Sequence, residues 1–270
     1  RLKSAVYGEG TTISDNTGRF SENITEYDRN GNIASCQRYG KASSTAYGII
    51  DNLTIAYNGN QLKYANDAAA DPLYNGVFNF VNGSNSTGNE YVFDKNGNLQ
   101  QDYNKKVAKV QYNQLNLPSV LQFINGNRVD YLYDADGIKR LVTHKIAIAN
   151  ISVPMGQIKD LTNSQISQTQ TTDYCGNVIY ENRILSKIQT EEGYITLNGN
   201  SPTYHYYLKD HQGNNRIVIN QTGAIEQINH YYPFGGVFEV NTSTSGIQPY
   251  KYNGKELDRM HGLDYYDYSA

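Results

Sequence analysis

Apolar positions along this chain alternate with polar ones over short stretches and rarely recur at helical spacing. "VAKVQY" (107–112) and "RIVIN" (216–220) alternate cleanly, and other apolar residues cluster in brief runs. Gly, Asn and Asp interrupt the pattern about every ten residues, as expected for short antiparallel strands joined by tight turns. The pattern predicts an all-β protein with almost no helix. "DAAADPLY" (67–74) is the one place where a short helical turn is expected.

The turns are explicit. "RNGN" (29–32), "YNGN" (57–60), "KNGN" (95–98), "INGN" (124–127), "ADG" (135–137) and "QTG" (221–223) each set Gly behind a residue that tolerates tight turns. Asn-Gly and Asp-Gly between apolar runs are strong hairpin signals. In "YDRNGNI", a loop over Arg29 to Gly31 with Gly31 left-handed places Tyr27 opposite Ile33, with Asp28 at the turn. In "FDKNGNL", Asp94 and Gly97 place Phe93 opposite Leu99. Such aromatic–aliphatic cross-strand pairs contribute roughly 0.2–1 kcal/mol each. "YLYDADGIKRLV" repeats the grammar through Tyr133, Asp134 and Gly137, and "YLKDHQGNNRIVI" through Asp210, Gly213 and Arg216. Phe93, Tyr112 and Tyr133 are 19 and 21 residues apart, which fits a hairpin unit of about 20 residues with insertions.

This spacing divides the chain into degenerate hairpins over 1–150, with an insertion at 66–90. An irregular, polar, loop-like connector follows at 151–173, and a further segment covers 174–270, continuous with the first sheet. In that segment "YHYYLKD", "NRIVIN" and "AIEQINHYYPF" are expected as consecutive strands turning at Gly213 and Gly223. Ile217 and Ile219 share one face and Val218 takes the other, so the central strand should be covered on both sides.

Composition narrows the function. With 25 Tyr, 7 Phe, 24 Gly and no Trp, much of any core must be aromatic. Tyrosine suits half-buried pleated surfaces, since its ring packs while its hydroxyl reaches a polar partner. The net charge of −3 comes from scattered residues, with no basic block longer than "NKKVAK". A nucleic-acid partner needs a clustered basic footprint, so none is expected. No apolar run approaches the roughly 18 residues of a membrane-spanning helix. Cys36 and Cys175, the only thiols, are too few for a disulfide framework or a zinc site and are expected as small buried residues. The chain starts at Arg1 without Met or a signal sequence and reads as a piece of something longer.

Candidate chemistry thins out on inspection. "DKNGN" resembles a calcium loop, but Gly97 is fourth rather than sixth from Asp94, and Lys105 stands where a bidentate Glu belongs. The five histidines (144, 205, 211, 230 and 261) show no ligand spacing. No metal or cofactor is expected. "KDHQGNNR" (209–216) gathers an acid, an imidazole and a guanidinium, yet it is centred on a turn, and catalysis there is the least favoured reading. "HYYPFGG" (230–236) reads as a bend, with an aromatic sugar platform as its functional alternative.

These residues carry a family resemblance. "YDRNGNI", "FDKNGNL" and "YDADGIKR" resemble the YD repeats of Rhs proteins. Residues 206–236, followed by "YKYNGKELDRMHGLDYYDYSA" (250–270), resemble the Rhs repeat-associated core of Bacteroidetes-type members. The likeness leaves out 66–90 and 143–173. It implies a large, secreted or surface-located bacterial toxin as the parent. The family's hairpins form a curved strip closing into a shell around a C-terminal toxin. Partners implied are the rest of the parent chain and that toxin. The family's self-cleavage segment carries "DPxG" elements; the sole Asp-Pro here, Asp71-Pro72, is followed by Leu73. Neither autoproteolysis nor toxin activity is therefore assigned to these 270 residues. The expectation is a non-enzymatic scaffold, with adhesion to a cell-surface glycan through exposed tyrosines as the alternative.

Overall fold

The computed structural model describes residues 1–72, 78–84, 88–238 and 248–268. It is an all-β chain of open antiparallel sheets, with three single-turn 3-10 segments among the described residues. No helix of the described residues is long and apolar enough to cross a membrane. The chain forms two compact units, each built from two stretches of sequence. One comprises 1–105 and 230–241, the other 106–229 and 242–270.

The first unit holds a five-stranded sheet in chain order: β1 (Ser4–Ala5), β2 (Glu22–Tyr27), β3 (Ile33–Lys41), β4 (Tyr47–Asn58) and β5 (Gln61–Asp67). It also holds the hairpins β6 (Tyr91–Phe93) with β7 (Leu99–Asp102), and β19 (His230–Tyr231) with β20 (Val237–Phe238). Tyr27 faces Ile33 and Phe93 faces Leu99, the registers that the turn chemistry predicts. Phe20, Ile50, Tyr232 and Phe238 form one core, joined by Phe78; Ile24, Cys36 and Leu53 form another, joined by Phe80. Both phenylalanines come from the 66–90 insertion, which thus supplies core residues. Residues 67–72 of the expected helical turn are not helical, and Leu73 and Tyr74 lie outside the described residues.

The second unit is a run of eleven strands, each paired antiparallel with the next. They are β8 (Val107–Tyr112), β9 (Pro118–Phe123), β10 (Arg128–Tyr133), β11 (Lys139–Ala147), β12 (Ile166–Cys175), β13 (Val178–Glu181), β14 (Ile184–Gln189), β15 (Gly193–Asn198), β16 (Ser201–Lys209), β17 (Asn215–Asn220) and β18 (Ile225–Ile228). A C-terminal hairpin, β21 (Glu256–Asp258) with β22 (Tyr265–Asp267), completes it. Val107, Val110, Leu121, Phe123, Val129, Val142 and Leu263 form the core, flanked by Tyr112, Tyr131 and Tyr174. Each such aliphatic contributes about 1.5–3 kcal/mol when fully buried.

Three expectations are corrected. Residues 166–173 are strand rather than loop, because β12 pairs along β11 from Asp173 opposite Leu141 to Ile166 opposite Ala147. A Thr- and Gln-rich strand needs no apolar alternation when its ladder is complete on one side and its polar side chains stay half exposed. Cys175 is exposed, unlike buried Cys36, and the two form no disulfide. Residues 224–234 are not one strand: the run breaks at buried Asn229, and His230 begins a strand of the other unit. In β17, Val218 is fully buried and Ile217 and Ile219 are partly buried, so its two faces are covered unequally.

Gly97 sits at φ 87°, a conformation that a β-branched residue resists. Gly97→Val is expected to lower stability by more than about 1 kcal/mol in chemical denaturation. A loss within error would mean that the 94–98 turn does not demand a left-handed residue.

Candidate functional site

The repeated turn comes first. In nine loops among the described residues the first residue's N–H donates to the carbonyl four residues on, and the fourth residue's N–H donates back to the first carbonyl. They span 28–32, 94–98, 113–117, 123–127, 134–138, 210–214, 220–224, 232–236 and 251–255. In six of them an Asp or Asn in first place caps the loop. Asp94 Oδ1 accepts the N–H of Asn96 (2.8 Å) and of Asn98 (2.9 Å), while Oδ2 accepts the Asn98 side-chain amide (3.0 Å). Asp28, Asp134 and Asp210 do the same, with Arg140 taking the amide's place at Asp134. Asn113 and Asn220 complete the six.

These bonds hold the carboxylates below their ordinary range. The Asn32 amide is the chief cause at Asp28, and the Ile138 N–H at Asp134. At Asp94 and Asp210 partial desolvation opposes the shift and the bonds from Asn98 and Asn214 outweigh it. A depressed folded pKa contributes stability that is present above the unfolded value and lost as pH falls through the folded one. Acid therefore loosens the turns.

In "KDHQGNNR" the catalytic groups do not converge. Both Asp210 oxygens are spent on its own loop, and His211 is exposed at the loop tip. The asparagines matter more. Asn214 Oδ1 accepts the Asn253 N–H (2.7 Å), the Asn215 amide donates to the Tyr250 carbonyl (2.8 Å), and the Asn215 N–H donates to the Lys251 carbonyl (3.1 Å). Asn229 Oδ1 accepts from Gln227 (2.8 Å) and from Lys251 Nζ (3.0 Å). The loop thus fastens the 250–253 segment through buried polar side chains. Asp210→Ala is expected to lower stability by about 1 kcal/mol, roughly 2–4 °C in Tm. Unchanged stability with a lost hydrolytic or binding activity would refute the structural role.

His205 forms a tidier constellation. The bulge between Val218 and Ile219 re-aims Glu226, which meets His205 Nδ1 at 2.6 Å, while Thr196 Oγ1 lies 2.9 Å from Nε2. The imidazole stacks on buried Tyr194 at 4.3 Å. Opposite His205's neighbour Tyr206, Gly193 gives the close approach its room, because a Cβ there would stand 1.9 Å from the His205 carbonyl. Thr196 lies within the β15–β16 ladder, paired with Thr203, so its surrounding backbone amides are committed to the sheet rather than to a developing oxyanion. The relay ties three strands together.

Two charged clusters went unnoticed in the sequence. In the first unit, Arg38 lies 3.3 Å from both Glu22 and Asp51, under Phe78 at 4.9 Å, and the Phe80 N–H donates to Asp51 at 2.5 Å. Burial pushes both carboxyls up; Arg38 pulls them down. Burial also raises the Cys36 thiol to about 11. In the second unit, Lys139 pairs with Asp267 and with Glu256 (3.0 Å), and the Tyr174 hydroxyl donates to Glu256 (2.7 Å). Burial pulls Lys139 down, but the two carboxylates outweigh it and hold its pKa up. Among the described residues no group of three or more His, Cys, Asp or Glu side chains is arranged to hold a metal ion.

No family model matches the sequence, and no curated protein matches it either. Solved structures do. The crystal structure of TcdB2-TccC3 matches over 100% of this chain with a TM-score of 0.59 at 16% identity. The Tc holotoxin pore of Photorhabdus luminescens matches over 98% with a TM-score of 0.55 at 16% identity. TcdB2-TccC3-Cdc42 matches over 98% with a TM-score of 0.55 at 17% identity. The match spans 13%, 12% and 13% of those chains. The chain has the fold of a segment of these toxin structures, covering about one-eighth of their length.

Proposed function

We propose that this chain is a non-enzymatic scaffold segment of a secreted or surface Rhs/YD-repeat protein whose parent encloses and delivers a C-terminal toxin. The carrying observation is the repeated loop: its acids and amides are consumed in closing turns, which leaves them no substrate to serve. Supporting it is the fold likeness to TcdB2-TccC3 and to the Tc holotoxin pore of Photorhabdus luminescens. The Rhs-like motifs at 206–236 and 250–270 point the same way. Stacked hairpins bury together what none buries alone, and so build a wall rather than a pocket.

The glycan reading rests on Tyr204 and Tyr206, which are 42% and 41% exposed on one face of β16. Beside them lie Leu208, Ile217 and Ile219, and the adjacent Gln221 spends its side-chain oxygen on the Tyr204 N–H. Limited proteolysis of the whole parent protein tests the scaffold. Its C-terminal domain should resist a protease that digests the same domain alone. Equal digestion rates overturn the enclosure, and a glycan bound through Tyr204 and Tyr206 would favour adhesion.

A further inference from the structure

The C-terminal hairpin docks on the second unit through His261. Residue 261 stands at φ 58° within the short 260–262 turn, and Leu263, two residues on, inserts into the core. The imidazole lies against Phe123 of β9 at 5.1 Å and His144 of β11 at 5.4 Å between ring centres. Its one hydrogen bond runs between Nδ1 and the side-chain nitrogen of Asn127, 3.0 Å away, and its Nε2 is buried with no partner. Asn127 has no freedom to turn over, since its oxygen accepts the Ala147 N–H at 3.0 Å. The amide nitrogen therefore donates, and Nδ1 must present a lone pair. The docked ring is the neutral tautomer with its proton on Nε2. Protonating Nδ1 would set two donors face to face and place an uncompensated charge beside a phenylalanine.

We propose that the 256–267 hairpin is an acid-released latch with His261 as its trigger, docked while the imidazole is neutral and freed when it is protonated. The groups around it do not cancel this effect. Across the ring stands His144, whose Nε2 is 3.7 Å from Asp258; Lys139 lies beyond, paired with Glu256 and Asp267. On the hairpin itself Arg259 pairs with Asp264 at 3.6 Å. Among the described residues no carboxylate forms an ion pair with His261.

The His144–Asp258 pair offsets most of its own pH dependence. Burial pushes Asp258 up to about 6 from 3.8, which contributes stability below 3.8 that is lost as pH rises through 6. Burial pushes His144 down to about 4 from 6.5, which contributes stability above 6.5 that is lost as pH falls through 4. Across the shared window the two have opposite signs, and the proton passes from one to the other. His261, pushed down by burial alone, has no such counterweight.

Hydrogen exchange on the whole chain tests the latch. Between pH 7.5 and 5.5 the protection of the Leu257 and Leu263 amides should fall by up to about tenfold, the effect of one pH unit of coupling. The amides of β8–β10 should hold. His261→Asn, which keeps the positive φ without a titrating group, should flatten the response. Asn127→Asp should reverse it, because a carboxylate accepts from the protonated ring. Where a variant fails to dock at pH 7.5, an NMR titration of His261 in the unaltered chain decides: its midpoint should coincide with the loss of hairpin protection. Constant protection, loss shared by β8–β10, or unchanged acid release in Asn127→Asp overturns the proposal.

Discussion

Arg38→Met is expected to destabilise the chain by about 3–5 kcal/mol at pH 7, because it leaves Glu22 and Asp51 buried without their shared cation. Methionine retains much of the volume against Phe78 and Tyr232, so lost packing accounts for little of the effect. The loss should shrink on mild acidification. Both carboxyls already titrate high in the fold, so it holds more protons than the unfolded chain within that window. Stability from such groups is present below their unfolded pKa and lost as pH rises through the folded one. Removing Arg38, which pulls both down, widens the window. Denaturant titrations at pH 7 and pH 5 measure this directly. A loss below about 1 kcal/mol, or an identical loss at both pH values, would show that the cluster is hydrated and not a buried ion triad.

Leu263→Ala should cost about 2–5 kcal/mol, the range for emptying a packed aliphatic site. Leu263 is 1% exposed and sits among Val107, Val110, Leu121, Phe123, Val129 and Val142, residues more than a hundred positions earlier in the chain. Leu132→Ala, at a residue 58% exposed on β10, is the control and should stay within about 0.5 kcal/mol. Similar losses at the two sites would mean that the C-terminal hairpin does not seal this core.

The sequence is most informative where structure is local. Asp28, Asp94, Asp134 and Asp210 each reach backbone amides within four residues, so five letters of sequence contain the whole interaction. The turn and the cross-strand register it sets follow without any distant contact. Copies that dispense with the Asx cap were harder to read. At 232–236 and 251–255 the same loop starts on Tyr or Lys. Backbone bonding alone closes these loops, and it leaves only a weak trace in side-chain identity.

By itself the sequence determined the all-β class, the hairpin repeat and the turn positions. Period-two alternation and left-handed turn residues are properties of neighbouring positions. Only the tertiary structure decided that Asn229 ends a strand and that the insertion at 66–90 supplies core aromatics. The same holds for Lys139, which meets an acid 117 residues away, and for His261, which meets Asn127 134 residues away. Those outcomes depend on burial. The cost of an unpaired polar group appears only once the chain has closed over it, and no local pattern of residues records where that will happen.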